Sequence, residues 1–487
     1  MEIFNKKQLF NYEIEKLCRI FLPFEKILFV DGPSNAQRYV EVDYSEENGV
    51  CKAFLRLDGK ETEYKNQIQA NDLKELERGL AVELYKCFVE LTGYTAEWGI
   101  LTGVRPIKLF SHFEKTLGEE EAARIFAKDF LVSDEKISLC KDTRISEEKI
   151  INLSSKNSFS LYVAIPFCPT RCTYCSFISK AGKASEKLVV PYLEKLLEEI
   201  EITAQYAKRN ALKLETIYIG GGTPTHLSSE QLESLMQKIA ECFDINGILE
   251  YTVEAGRPDT ITKDKLLTIK KYGATRISIN PQSMSDEILK NIGRQHTVKE
   301  TVEAFNLARA LGFNNINMDL IAGLPGDTPL SFENTLEQIL ALDPDSVTVH
   351  SLSLKRSSEM TSQGVNHTLA EGENASLMVK KARKMLSQNG IVPYYMYRQS
   401  KTVGNLENVG YAKAGKEGYY NVFIMDETHT ILACGASAVT KLRQYGGSYI
   451  ERIFNHKYPY EYLDRFDELI SRKEKINLFY DKYGYFD

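Results

Sequence analysis

The sequence predicts an α/β fold. Roughly six strand-then-helix units form an incomplete version of the eight-unit parallel barrel, between an N-terminal α/β accessory domain and a C-terminal extension. Three observations predict it. Short apolar or alternating runs recur at 160–165 (SLYVAI), 215–219 (ETIYI), 249–254 (LEYTVE), 275–279 (TRISI), 315–321 (NINMDLI) and 346–352 (SVTVHSL). Charged stretches of helical period lie between them, among them SEKLVVPYLEKLLEEIEITAQYA, SSEQLESLMQKIAECF and PLSFENTLEQILAL. Strands alternating with helices pair in parallel through right-handed crossovers. Finally, polar residues collect at the C-terminal ends of the runs, where a parallel barrel carries its chemistry: Cys168, Gly221, Glu254, Gln282, Asp319 and His350. A doubly wound open sheet is the competing arrangement. The cysteine loop after the first run and the lack of a dinucleotide-binding turn argue against it.

The flanks have a different texture. Residues 1–155 begin with strand-like pieces (FEKILFV, RYVEVDY, CKAFLRL) and then a long amphipathic stretch, NDLKELERGLAVELYKCFVELTG. Its apolar positions Leu73, Leu76, Leu80, Leu84, Cys87, Phe88 and Leu91 repeat at helical spacing. WGILTGVRPIKLF and two acidic helical segments follow, up to the polar break SSKNS at 154–158. The expected division is 1–155 as accessory domain with helical connector, 156–392 as core and 393–487 as the Tyr-rich extension. No internal repeat is visible beyond the strand–helix units.

A chain of 487 residues can bury a large core and more than one domain. Its N-terminus lacks a charged-then-apolar signal pattern, and no apolar run reaches membrane-spanning length. Nine cysteines in no regular framework point to a reducing, cytoplasmic setting. The net charge of −6, with signs mixed throughout, offers no basic face for nucleic acid.

The most informative segment is IPFCPTRCTYCSF, with Cys168, Cys172 and Cys175 inside eight residues. Three thiolates on one loop suit a thiophilic centre, an iron–sulfur cluster or zinc. Structural zinc wants a fourth ligand, and the next cysteines, Cys140 and Cys242, have no neighbour at ligand spacing. A cubane cluster held by three thiolates keeps one iron open, and the C-x3-C-x2-C spacing resembles that of radical S-adenosylmethionine (SAM) enzymes. About fifty residues on, GGGTPT (Gly220 to Thr225) follows the run TIYI. A glycine turn after a strand can cradle a phosphate. This one lacks the P-loop lysine and the third spaced glycine of a dinucleotide site. In its order after the cysteine loop it resembles the segment that binds the methionyl amino group of SAM.

Over nearly its whole length the chain resembles the oxygen-independent coproporphyrinogen III oxidase (dehydrogenase) family of radical SAM proteins, specifically its HemZ-type branch. WGILTGVRP, IPFCPTRCTYC, YIGGGTPT, TVEAGRPDT, RISINPQS, GRQHTV, NMDLIAGLPG, RSSEM, PYYMYRQ and GNLENVGY carry the resemblance. It implies a [4Fe–4S] cluster on Cys168, Cys172 and Cys175. It also implies a first SAM at Tyr162, Gly221, Glu254 and Val439, and a second at Tyr174, Gly222, Thr223, Gln282, Arg294, Asp319 and Ser353. No catalytic residue beyond the cluster and SAM site is implied. A carboxylate at Glu254 suits a methionyl ammonium; Arg294 suits a carboxylate and Asp319 ribose hydroxyls. The implied reaction begins with reductive cleavage of SAM to methionine and a 5′-deoxyadenosyl radical. Hydrogen abstraction from the β-carbon of a propionate follows, and loss of carbon dioxide and one electron leaves a vinyl group. Two rounds on coproporphyrinogen III give protoporphyrinogen IX. The implied partners are a tetrapyrrole substrate and an electron donor such as flavodoxin or ferredoxin.

Each residue also has a plainer reading. Glu254 and Asp319 are alternatively solvated strand-end carboxylates, Arg294 a surface helix cap, and Gln282 turn chemistry. His226, His296 and His350 read as ordinary loop or strand-end histidines. Lys355, Arg356 and Arg398 are either a solvated face or cations for a multiply anionic substrate. The chain also departs from the better-known branch: Ala164 stands where that branch has a His, and Phe177 where it has a fourth Cys. The same superfamily branch includes heme chaperones and heme-degrading enzymes, but the seven histidines show no paired or HxH arrangement for an axial ligand.

The three-thiolate reading yields a direct expectation. Cys168→Ala, Cys172→Ala and Cys175→Ala each abolish cluster assembly and SAM cleavage, whereas Cys140→Ala and Cys242→Ala do not. Iron content after anaerobic reconstitution checks this; a remote cysteine that proved equally essential would remove the open-iron argument.

Overall fold

The computed structural model describes residues 1–45, 49–68, 72–177, 179–355, 357–366, 368–444 and 447–484. The chain forms two compact units. One comprises Met1–Arg144, Val365–Leu377 and Tyr397–Asn408; the other comprises Ile145–Gly364, Met378–Met396 and Val409–Asp487. These units are drawn differently from the three-part sequence division, because two short segments from beyond residue 360 fold with the N-terminal region.

The N-terminal unit is built on a mixed sheet of β1 (Glu2–Asn5), β2 (Leu28–Val30), β3 (Arg38–Ser45), β4 (Val50–Leu57) and β5 (Lys60–Gln67), in the order β2-β1-β3-β4-β5. β1 runs parallel to both neighbours, and β3, β4 and β5 form an antiparallel meander. Helices α1 (Asn11–Phe21) and α2 (Leu73–Thr92) enclose a core that includes Ile3, Leu17, Phe21, Val40, Leu55, Leu84 and Phe88. Phe21 stacks on Phe88 with ring centroids 4.7 Å apart. α2 confirms the helical period from Leu76 onward, starting at an Asp72 cap and ending at Gly93 in the left-handed region. Leu73, in its first turn, is exposed rather than buried. Helices α3 (Pro106–Leu117), α4 (Glu119–Lys128) and α5 (Asp134–Ile151) follow. A buried ion pair belongs to this unit: Lys136 Nζ donates to Glu407 Oε1 at 2.7 Å, and Trp98 Nε1 donates to Glu407 Oε2 at 2.7 Å.

The second unit contains the six expected strands: β6 (Ser158–Ile165), then, past the two-residue strands β7 (Phe167–Cys168) and β8 (Lys180–Ala181), β9 (Lys213–Gly221), β10 (Glu250–Glu254), β11 (Arg276–Ser278), β12 (Ile316–Ala322) and β13 (Ser346–Ser351). β6 and β9 to β13 lie side by side in chain order, all parallel, which is the barrel-type succession and not the reversed order of a doubly wound sheet. Their interiors are almost continuously buried, as in sheets covered on both faces. The crossover helices include α6 (Lys183–Arg209), α7 (Ser229–Cys242), α8 (Lys263–Lys271), α9 (Asp286–Asn291), α10 (Val298–Ala310) and α11 (Pro329–Ala341). Capping boxes at Ser228/Gln231, Thr297/Glu300 and Thr328/Ser331 set the starts of α7, α10 and α11.

The C-terminal strands extend this sheet at both edges. Following β14 (Val392–Arg398), residues 409–412 of β15 (Glu407–Ala412) pair antiparallel with β13. β16 (Thr430–Cys434) lies parallel to β6, carrying the hairpin of β17 (Val439–Arg443) and β18 (Ile450–Phe454). Nothing in the local sequence pattern announced that return. Among the described residues no helix is long and apolar enough to cross a membrane.

A buried carboxylate fixes the returning segment. Glu199 on α6 accepts hydrogen bonds from Tyr462 Oη (2.6 Å), the Gly435 amide (2.7 Å), Asn455 Nδ2 (2.8 Å) and the ammonium of Lys473 (2.9 Å). Both ends of the ion pair are fully buried. Glu199→Ala leaves the Lys473 charge uncompensated and is expected to cost about 3–5 kcal/mol, read as a lower denaturation midpoint for this unit.

Candidate functional site

The cysteine loop begins where β6 ends. It is held by the glycine turn at the end of β9: the Gly222 amide donates to the Ile165 carbonyl and the Thr223 amide to the Phe167 carbonyl, each at 2.8 Å. Pairing of β7 with β8 closes the loop behind Cys168. Gly221 adopts φ +110°, which only glycine tolerates without strain. A Cβ on Gly222 would stand 2.7 Å from the Phe167 carbonyl oxygen and 3.0 Å from Cys168 Sγ, and one on Gly220 3.0 Å from the Glu254 carboxylate. The glycines are thus the condition for close approach of the turn, the loop and the carboxylate.

Cys172 is buried, and Cys168 and Cys175 are half-buried. Thr223 Oγ1 lies 3.4 Å from Cys168 Sγ, and Arg257 Nη1 3.6 Å from Cys172 Sγ. Burial pushes the Cys175 thiol up to about 11; a metal at that sulfur would favour the thiolate. Among the described residues no three His, Cys, Asp or Glu side chains close around a single ion. Arg257 was missed by sequence reading although it lies within the TVEAGRPDT segment. Its guanidinium is clamped by Asp259 (2.9 and 2.8 Å) and by Thr170 Oγ1 at 3.1 Å, so it buttresses the cysteine loop from outside.

Arg294 is not a surface cap. It is buried, with Nη2 3.2 Å from Tyr174 Oη and Nη1 3.3 Å from the Gly256 carbonyl, and its Nε has no partner among the described residues. Burial opposes its charge, but Tyr174 and Cys172 favour it, and its pKa stays above the ordinary arginine value. His296 is buried in the same region, 4.0 Å from Asp259, and burial pushes it down to about 4.

A second group collects on β6, β9, β10, β12 and β13. Tyr218 Oη donates to Glu254 Oε1 at 2.5 Å. Its ring stacks on Tyr420 with centroids 4.5 Å apart, and both rings face Tyr162 at 6.2 Å. Burial, and after it the nearby Asp319 charge, raise the Glu254 carboxyl to about 7 against the Tyr218 hydrogen bond. Asp319 accepts from Asn317 Nδ2 at 2.7 Å and stands 3.8 Å from His350 Nε2. Despite burial, these neighbours, His350 foremost, hold its carboxyl below the usual range. Neither carboxylate is the freely solvated strand end of the plainer reading. Tyr218 and Tyr420 were not singled out in the sequence. Tyr218 is one of 27 tyrosines, and Tyr420 arrives from the C-terminal segment.

Gln282 combines both of its readings. It sits at φ 70° with its amide donating to the Asp319 carbonyl at 2.9 Å, which is turn chemistry. Its Oε1 is buried without a partner among the described residues, which turn chemistry does not explain. Ser353 lies half-buried beyond β13, and half-buried Val439 opens β17, next to Ala438 in a small cluster with Ala164, Ala433 and Tyr162. Ala164, at the departure from the better-known branch, is packed in that cluster, whereas Phe177 at the other departure is exposed. Lys355 is half-buried and Arg356 lies outside the described residues. Arg398 is no substrate-facing cation: it is buried in the N-terminal unit over the Trp98 ring, donating to the carbonyls of Leu101 (2.7 Å) and Asn405 (3.0 Å).

The radical SAM superfamily profile matches residues 162–339. The chain is 43% identical over 390 residues to the oxygen-independent coproporphyrinogen-III oxidase-like protein HemZ of Bacillus subtilis, covering 79% of this chain and 77% of that protein. It is 36% identical over 267 residues to the heme chaperone HemW of the same organism, covering 54% of this chain and 66% of that one. Among solved structures, the radical SAM enzyme coproporphyrinogen III oxidase (HemN) of Escherichia coli shares its fold, with a TM-score of 0.52 and 24% identity over 66% of this chain and 71% of that one.

The packing around Gly222 leaves no room for a side chain. Gly222→Ala is expected to push Cys168 out of place, so that the chain folds with an unchanged circular dichroism spectrum yet retains little iron after anaerobic reconstitution. Full iron loading would show that the loop tolerates the displacement.

Proposed function

We propose that this chain, which belongs to the radical SAM superfamily and within it to the oxygen-independent coproporphyrinogen III oxidase-like family, converts two propionates of coproporphyrinogen III to vinyl groups, giving protoporphyrinogen IX. The family uses a [4Fe–4S] cluster and SAM. The chemistry these groups supply when bound is one-electron hydrogen abstraction. In this reading Cys168, Cys172 and Cys175 hold the cluster. Glu254, oriented by Tyr218, accepts the methionyl ammonium of SAM, and Gly221 gives it room. Tyr162 and Val439 contact the remainder of that SAM. Tyr174, Gly222, Thr223, Gln282, Arg294, Asp319 and Ser353 would serve a second SAM. Gln282 Oε1 and Arg294 Nε, without partners among the described residues, support a polar ligand there. A propionate offers Arg294 the same carboxylate as a second SAM would.

The observation that carries the reading is the interlock of a three-cysteine loop with a glycine turn, beside a carboxylate whose only side-chain hydrogen-bond donor among the described residues is a tyrosine. A cationic ligand is the complement that such a carboxylate lacks. For the substrate, the support is the length and identity of the match to the oxidase-like relative. The nine cysteines, none in a disulfide, fit a reducing cytoplasm.

The match to a heme chaperone favours a second reading, delivery of heme on the same scaffold. Anaerobic incubation with coproporphyrinogen III, SAM and a reductant separates the two. Methionine and 5′-deoxyadenosine formed together with vinyl product are expected. Tight heme binding with no product would replace the enzyme by the chaperone, and a linear tetrapyrrole formed from heme would point to ring opening.

A further inference from the structure

The N-terminal unit holds a cavity of about 270 Å3 that the proposed chemistry does not use. The C-terminal half of α1 forms one wall, with Lys16, Arg19 and Phe21, and the segment 399–405 forms the other. We propose that this cavity is a binding site for a small organic anion, a single carboxylate or phosphate carried on an apolar body.

Charge is the first argument. Among the described residues, the lining includes Lys16, Arg19 and Lys401 and no Asp or Glu. The Arg19 guanidinium is held in place by Glu15 at 2.7 Å and by the Glu25 carbonyl at 3.2 Å, and Lys16 sits 4.9 Å over the Tyr12 ring. Lys401 has no ion-pair partner among the described residues. An unpaired cation facing a cavity is the half of a charge-assisted pair that a ligand anion completes.

The backbone is the second argument. Lys401 at φ 62° and Asn405 at φ 54° are both non-glycine residues in the left-handed region, within the one wall at 399–405. Such conformations persist where the surroundings over-determine them, and they cluster at ligand sites. Gly404, at φ 61°, packs against the Gly372 backbone, and its carbonyl accepts from Tyr94 Oη at 3.2 Å, so the wall is pinned. Asn405 Nδ2 is buried in it without a hydrogen-bond partner among the described residues. A buried donor of this kind is commonly matched by a ligand or an ordered water.

The floor decides the rest of the ligand. Phe21 and Tyr94 meet edge-to-face at 6.0 Å and, with Ile20, offer an apolar surface beneath the cations. The volume lies just below that of most small-molecule sites, roughly 300–1,000 Å3, too small for the four rings of a tetrapyrrole. The ligand is therefore a different molecule from the proposed substrate, and the site stands or falls independently of that reading.

Calorimetric titration of the full chain with benzoate, phenyl phosphate and inorganic phosphate tests it. One of the two aromatic anions is expected to bind once per chain, and which one does identifies the head group. Inorganic phosphate should bind at least tenfold more weakly, lacking the apolar body. Lys401→Gly keeps the left-handed backbone and removes the cation. It should leave the thermal midpoint unchanged or higher while weakening binding roughly tenfold to a hundredfold. Absence of binding by both aromatic anions into the millimolar range would overturn the proposal. So would equal affinity for the Lys401→Gly chain, or inorganic phosphate binding as well as phenyl phosphate.

Discussion

The ladder between residues 165–168 and 221–223 is the constraint on which the candidate site depends. A loop carrying three cysteines has no reason of its own to adopt one shape, since its thiols neither pack a core nor pair with each other. Two amide–carbonyl bonds from the glycine turn give it that shape, and they form only because three successive residues bring no side chain into the gap. Parallel pairing of β6 with β9 sets the register, placing Ile165 opposite Gly221. Arg257 then braces the far side of the loop through Thr170 and Cys172. Loop, turn and the carboxylate at the end of β10 are consequences of one strand register.

Charges inside this unit follow a second constraint: each must be matched where water is scarce. Glu254 has a tyrosine hydroxyl, Asp319 an asparagine amide and a histidine, and Glu199 four donors including an ammonium. The matches differ in completeness. Glu199 is saturated and ties the β16–β17 segment to α6, so it is structural. Glu254 has one side-chain donor and a carboxyl poised near neutrality, so it is ready to accept a proton or a cation. That difference in saturation, more than burial, separates the carboxylate that holds the fold from the one proposed to meet a ligand.

The N-terminal unit repeats the same division on a smaller scale. Its Lys136–Glu407 pair, joined by Trp98, is fully buried. A few residues from Glu407 along the chain, the wall at 399–405 holds two left-handed non-glycine residues and, among the described residues, a lysine and an amide without partners beside a cavity. Saturated polar groups mark scaffold there, and unsaturated ones mark a surface with something left to bind.

The sequence by itself determined the six parallel strands, the long amphipathic helix α2 and the cysteine and glycine segments, because each is written in local terms: a period, a spacing, a turn residue. It also brought Glu254, Gln282 and Asp319 forward, since they fall just after or within strands whose ends were legible, whereas Arg294 came forward through the family resemblance. Tertiary structure alone decided the remainder. Arg398 reads as an available cation until the fold buries it over Trp98, and Arg257 reads as a loop residue until the fold sets it against Cys172. Tyr420 and the strand β16 come from more than 250 residues away to stand beside Tyr162 and β6. Partnerships across such separations leave no period in the chain, because the energy that selects them is the burial and pairing of groups that meet only once the sheet has formed.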